Sequence, residues 1–304
     1  MALLLGSLQL GLLYGILAIG VYISFRILDI PDLTTEGSFT FGLVTSAMFA
    51  MNGHFVLGIV LSIFVGGLAG VITGVLQTKC KINPILSGII TMSGLHTVNL
   101  AVMNNAVNVS LIGKTEIFGF VMKALPLLSK DAVKCMIAFI FTAIVCLVII
   151  RFFKTHIGLC IRATGDNEAM VSSSSINVDA MKIISLAVSN ACVGLSGGLL
   201  AQYQGFADIS SSVGILVVAL ASVIIGEVIF GKRDVTTGII SVVVGSIIYR
   251  YIMALATATH VFPAFALKLV SACIVAIALS IPAIKASLAL GRIKREAAKN
   301  AHNR

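Results

Sequence analysis

Two short clusters of acids and hydroxyls interrupt otherwise apolar stretches of the chain, and these are the places where chemistry could be done. The first, between positions 28 and 38, holds Asp29, Asp32, Thr34, Thr35, Glu36 and Ser38. The second, between 204 and 212, holds Asp208, Ser210, Ser211 and Ser212. Each has an Asp, an apolar residue and two hydroxyls (Asp32-Leu33-Thr34-Thr35 and Asp208-Ile209-Ser210-Ser211) ahead of a new apolar run. Asp, Ser and Thr make good helix N-caps, because their oxygens accept the free N–H groups of a starting helix. Acids facing lipid are costly, so Asp29, Asp32, Glu36 and Asp208 are expected to point into a bundle, a pathway or the interface. The plainer alternative is a pair of ordinary interfacial turns.

Other chemistry is poorly supported. Cys80, Cys135, Cys146, Cys160, Cys192 and Cys273 form no CxxC and lie mostly within apolar runs, so they read as small core residues. His54, His96, His156, His260 and His302 are equally dispersed, and no metal cluster or nucleophile–base pair can be placed. Gly226 to Lys232 matches the first seven positions of a phosphate-binding P-loop, but Arg233 stands where Ser or Thr must hold magnesium. That segment reads as a helix end with basic anchors, so no ATP site is expected in this chain.

The elements that must position these groups are membrane helices. Hydrophobic residues make up 58% of the 304 positions and charged residues 11%, against roughly 25% charged in soluble domains. Apolar segments fall at 3–25, 37–51, 55–76, 84–103, 132–152, 181–203, 213–230, 235–256 and 263–283, several near the roughly 20 residues a crossing needs. The expected fold is all-α: one polytopic transmembrane bundle over 1–304, with eight or nine spanning or broken helices. The first segment lacks a basic n-region and reads as a helix, not a signal peptide. Gly11 and Gly15, and Gly66, Gly70 and Gly74, recur every fourth residue and should let neighbouring helices approach closely. Transporter folds often place broken helices at corresponding positions in their halves, as the two Asp clusters do here.

The formal charge of +9 marks orientation, not nucleic acid, since the basic residues sit between apolar blocks without interleaved aromatics. Arg26, Lys79, Lys81, Arg151, Lys154, Arg162, Lys182, Lys232, Arg233, Lys285 and the basic tail at about 285–304 fall on one side. Lys114, Lys123, Lys130 and Lys134 fall on the other. By the positive-inside rule the loop at about 153–181 and the C-terminus are cytoplasmic. Nine crossings would then leave the N-terminus outside.

That loop carries the most specific pattern. It contains Gly158, Arg162, Ala163, Gly165, Asp166, Asn167, Glu168 and Ala169, then Ile176-Asn177-Val178 and Lys182. A short helix is expected from Asp166 to Ser175, with acids in its first turn where they suit the helix dipole. The pattern resembles the hallmark of permeases of ABC importers of the branched-chain amino acid transport type. The likeness extends to Ser196-Gly197-Gly198-Leu199-Leu200 and to Tyr14-Gly15-Ile16-Leu17-Ala18-Ile19-Gly20. It implies that Arg162, Ala163, Gly165, Asp166, Asn167, Glu168 and Ala169 form a coupling helix seated on a partner ATPase, which would hold the ATP and magnesium. It further implies a bacterial plasma or inner membrane and an extracytoplasmic substrate-binding protein. One coupling loop against two ATPase subunits points to a two-fold pair, expected as a homodimer with a second permease copy, although a paralogous second permease would serve as well.

In place of the Asn-Phe-Ala-His-Gly-Glu-like element usual after the first helix, this chain has Asp32-Leu33-Thr34-Thr35-Glu36-Gly37-Ser38-Phe39. That variant resembles a subgroup partnered with lipoprotein binding proteins and sometimes linked to aromatic amino acids. Asp32, Thr34, Thr35, Glu36, Ser38, Asp208, Ser210 and Ser211 are expected to line the route. The rival reading is an ion-driven secondary transporter using Asp208, Glu227 or Arg250 as buried charges.

Overall fold

A segment that crosses hydrocarbon must satisfy its own backbone, which a helix does internally. The computed structural model describes residues 2–114, 116–124, 129–231 and 234–258 and positions 269, 272, 273, 276 and 280. Its elements begin with α1 (Ala2–Tyr22), continued by a π-helical turn (Ile23–Ile27), then α2 (Thr34–Met51), α3 (Phe55–Thr78) and α4 (Pro84–Val102). A short strand β1 (Asn108–Ser110) and helix α5 (Ile117–Ala124) precede α6 (Lys130–Phe153), α7 (His156–Asp166), α8 (Glu168–Ser173) and α9 (Val178–Gln204). Strand β2 (Phe206–Asp208), a 3₁₀ turn (Ile209–Ser212), α10 (Ile215–Phe230) and α11 (Val235–Ala258) complete the described elements. Eight of the expected apolar segments are thus helices. The ninth, 263–283, and the basic tail lie almost entirely outside the described residues.

Among the described residues, seven helices are long and apolar enough to cross a membrane. The eighth, α2, is too polar to face lipid, and packing resolves the conflict: 13 of its 18 residues are buried, wrapped by α3, α4 and α9. Small residues permit this. Gly42 lies against the backbone of Gly194, and Gly66, Gly70 and Gly74 meet Asn190, Leu186 and Ile183 of α9. A side chain at any of these glycines would collide with backbone across the seam. Gly11 and Gly15 receive α11 in the same way, at Ile247 and Ser246. Without a hydrophobic driving force between helices in lipid, such close contact is what holds a bundle together.

The helices alternate in direction, so the chain has two ends. One end gathers the end of α1, the start of α9, and α7 and α8. There Lys79 pairs with Asp179 at 3.1 Å and Arg26 with Glu227 at 2.6 Å. The far end holds Gln9 beside Tyr203, and β1 paired antiparallel with β2 in the register Asn108↔Asp208 and Ser110↔Phe206. This ribbon was not expected from the sequence, because three-residue strands carry too little alternation to register. Beside it, Gln202 near the end of α9 ties that helix to α2 and α3, donating to Ser46 Oγ at 3.0 Å and the Phe55 carbonyl at 2.8 Å.

Candidate functional site

The first Asp cluster is a buried lock. Asp32 is 2% exposed. Its Oδ1 accepts the Thr34 N–H at 2.9 Å, and Oδ2 accepts from Asn190 Nδ2 of α9 at 2.6 Å. Thr35 Oγ1 returns a bond to the Asp32 carbonyl at 3.0 Å. Thr34 and Thr73 hydroxyls meet at 2.7 Å, and Thr73 donates on to Thr91 at 2.9 Å, linking α2, α3 and α4. Ser38 is fully buried beside this ladder, with its Oγ unpartnered among the described residues. Asp29, two residues after the π-helical turn ends at Ile27, takes a left-handed φ of 56° where the chain turns toward α2.

The second cluster repeats the local geometry at the surface. Asp208 Oδ1 accepts the Ser210 N–H at 2.6 Å, but Asp208 and Ser211 are only half-buried and Ser210 is exposed. From there the 3₁₀ turn dips toward α2. Thr40 Oγ1 donates to Ser212 Oγ at 2.6 Å, and the Gly214 N–H, beside the start of α10, donates to Glu36 Oε1 at 2.9 Å. Tertiary structure therefore brings the two clusters together.

Between them and α4 lies a cavity of about 380 Å³, lined in part by Glu36, Thr40, Ser93, His96, Ser210 and Ser212. Of the eight residues expected to line a route, Glu36 and Ser210 border it. Asp32, Thr34, Thr35 and Ser38 lie within the helix packing, while Asp208 caps the 3₁₀ turn and Ser211 lies inside it. The α4 residues were not anticipated. Their signal was present: Met92, His96 and Asn99 recur at i, i+4 and i+7, which puts them on one helix face.

At the opposite, basic end, α7 and α8 form a projecting elbow. The expected single helix from Asp166 to Ser175 is instead broken at Asn167, whose φ of −159° ends α7 at Asp166. The Asn167 side chain caps α8 by accepting the Met170 N–H at 3.0 Å. The shift has a local cause, since Asn is among the strongest N-caps. Glu168, in the first turn, pairs with Lys182 Nζ of α9 at 2.7 Å. Asp166, Asn167, Glu168 and Ala169 are exposed, whereas Arg162, Ala163 and Gly165 are half-buried. Gly165 abuts the Ile27 carbonyl, where a Cβ would collide, so α7 sits directly on the end of α1. Arg162 and Asp166 share a second cavity of about 260 Å³ with Tyr22 and the Arg26–Glu227 pair. The outward surface is unexpectedly apolar, with Ile157, Leu159 and Met170 43%, 51% and 54% exposed.

The P-loop-like segment is helical from Gly226 to Phe230, and Gly226 is packed against Ser241 of α11. It has no strand before it and no phosphate-cradling loop over those residues.

Comparison with known proteins fits this architecture. Residues 3–279 match the family model described as branched-chain amino acid transport system / permease component. The tyrosine transport system permease protein of Clostridioides difficile (strain R20291) is 36% identical over 242 residues, covering 79% of this chain and 78% of the relative. An uncharacterised protein of Rickettsia prowazekii (strain Madrid E) is 32% identical over 232 residues, covering 76% and 79%. The D-allose transport system permease protein of Escherichia coli (strain K12) is 28% identical over 216 residues, covering 68% and 61%. No solved structure gives a significant match. With a bundle of membrane-spanning helices, the basic-end elbow and a family match over nearly its whole length, the chain belongs to the branched-chain amino acid transport permease family and is a membrane-spanning subunit of an ABC importer.

Proposed function

We propose that this permease passes an amino acid or a related small metabolite along the face of α4, and that α7 and α8 transmit the ATPase stroke. One observation carries the route: α4 is apolar enough to span, yet presents exposed Ser93 and His96 beside a cavity. Polar side chains on a spanning helix belong against protein or water, not lipid. A second copy of the permease, with the two cavities turned toward a shared axis, supplies that cover. Two-fold pairing also matches one elbow to each of two ATPase subunits. The amino acid cargo is supported by the printed function of the Clostridioides difficile relative, while the D-allose relative shows that cargo varies between similar chains.

The α7 end is then the cytoplasmic end, in keeping with Arg26, Lys79, Arg151, Arg162 and Lys182 gathered there. The exposed Ile157, Leu159 and Met170 are the anchors for an ATPase groove, and a substrate-binding protein docks at the far end. ATP and magnesium stay on the ATPase. Arg162 supports the elbow from within, so a fair test of docking changes the outward residues. Leu159→Asp with Met170→Asp should abolish ligand-stimulated ATPase activity in the reconstituted complex while the permease still inserts. Undiminished stimulation would remove α7 and α8 from the coupling role. Native mass measurement of the complex should find two permeases, and a stable complex with one would refute the pairing.

A further inference from the structure

The cavity between α2, α4 and the 3₁₀ turn holds more chemistry than a plain conduit needs. At about 380 Å³ it falls at the small end of ordinary ligand sites, which run about 300–1,000 Å³, a size suited to one compact solute. Glu36 is the one acid among its described lining residues, and His96 the one basic side chain there. Glu36 uses Oε1 to accept the Gly214 N–H, and none of the ion pairs among the described residues engages its carboxylate. No Lys or Arg is among the described lining residues. Asn99 adds a second, independent sign: it is 1% exposed and borders the cavity, and its Oδ1 has no hydrogen-bond partner among the described residues. A buried acceptor without a donor is a standing penalty that an incoming N–H would relieve. Met92, Ile209 and Val213 supply apolar wall.

We infer that this cavity is a station for the ammonium group of an amine-bearing solute, with the Glu36 carboxylate as its counter-charge and Asn99 Oδ1 as a second acceptor. A positive N–H donor gains from both, since hydrogen bonds to charged groups are the stronger kind. The apolar wall receives the carbon skeleton. A solute bearing hydroxyls alone would leave the Glu36 charge uncompensated. This inference rests on the reading that the cavity lies on the transport route, and its test separates the two.

Ser93→Cys places a thiol on the cavity wall in the reconstituted complex, with the same complex lacking that change as background. Two water-soluble thiol reagents are compared, one ending in an aminoethyl group and one in a sulfonatoethyl group, each scaled to its reaction with a free thiol. The cationic reagent should react about tenfold faster, the scale of a single charge-assisted hydrogen bond. Glu36→Gln, which keeps the acceptor for Gly214, should bring the ratio close to unity. Millimolar tyramine should slow the labelling, and hydroxyphenylpropionate, which lacks the amine, should not. Asn99→Leu should remove the tyramine protection while leaving the charge preference. Equal rates for the two reagents, or labelling indifferent to tyramine, would overturn the ammonium station and leave the route standing. A thiol inert to both reagents in every nucleotide state would overturn the route reading as well.

Discussion

Asp32 and Asp208 begin the same short phrase and make the same local bond, yet they do different work. Each accepts the N–H two residues on, from Thr34 at 2.9 Å and from Ser210 at 2.6 Å. Asp32 then disappears into the bundle, where Asn190 of α9 takes its second oxygen. Asp208 stays at the far end, paired through β2 with Asn108. The difference teaches that a cap is a local property while a role is not. The buried break locks α2 to its neighbours, and the exposed break leaves a turn whose far side borders a cavity.

The comparison breaks most easily at Asp32. Asp32→Ala leaves the Thr34 N–H and one of the two Asn190 amide N–H groups buried without an acceptor, the other still reaching the Leu186 carbonyl at 3.0 Å, at about 1–3 kcal/mol each. Thermal unfolding of the solubilised protein should therefore show a loss of roughly 2–6 kcal/mol, enough to deplete the membrane of folded protein. A loss no larger than that of Asp208→Ala would contradict the lock.

Accessibility gives the next largest contrast. Thr35 is fully buried and bonded to the Asp32 carbonyl, whereas Ser210 is exposed. With the protein in membranes, Ser210→Cys should react with a water-soluble thiol reagent at least about 100-fold faster than Thr35→Cys, because the latter must wait for a local opening. Comparable rates would mean that the first break opens to water during ordinary motion.

Asp208→Ala should cost about 1 kcal/mol, the ordinary value of an N-cap, and should slow uptake by loosening the turn that carries Ser212. Uptake unchanged in proteoliposomes would detach that turn from the route. The smallest effect belongs to Glu168→Gln on α8. Its ion pair with Lys182 is exposed on the Glu168 side, so stability should fall by less than about 1 kcal/mol. A larger drop in the unfolding temperature would show the elbow to be a structural keystone.

Much of the molecule was readable from local pattern. Eight apolar segments became helices where expected, and the glycine stripes at Gly11, Gly15, Gly66, Gly70 and Gly74 mark real close contacts. The start of the helix in the coupling segment was misplaced by two residues, because Asp166 and Asn167 are both acceptable caps and it is Asn167 that caps α8, through the Met170 N–H. The cavity was half visible. Glu36 and Ser210 stood out as polar residues at breaks, whereas His96 and Asn99 sit three apart inside an ordinary apolar run.

The sequence by itself determined that this chain lives in a membrane, where its helices run and which segments are interrupted. Those are consequences of hydropathy, capping chemistry and charge placement, all of which act over a few neighbouring residues. Tertiary structure decided that Asp32 is sealed within the bundle while Glu36 of the same interruption and Ser210 of the other border one cavity. It also decided that the polar helix α2 is tolerable at the centre of the bundle. The physical reason is that burial and hydrogen-bond partnership across Asp32 and Asn190, or Thr40 and Ser212, join residues 158 and 172 positions apart, a separation that no local pattern reads.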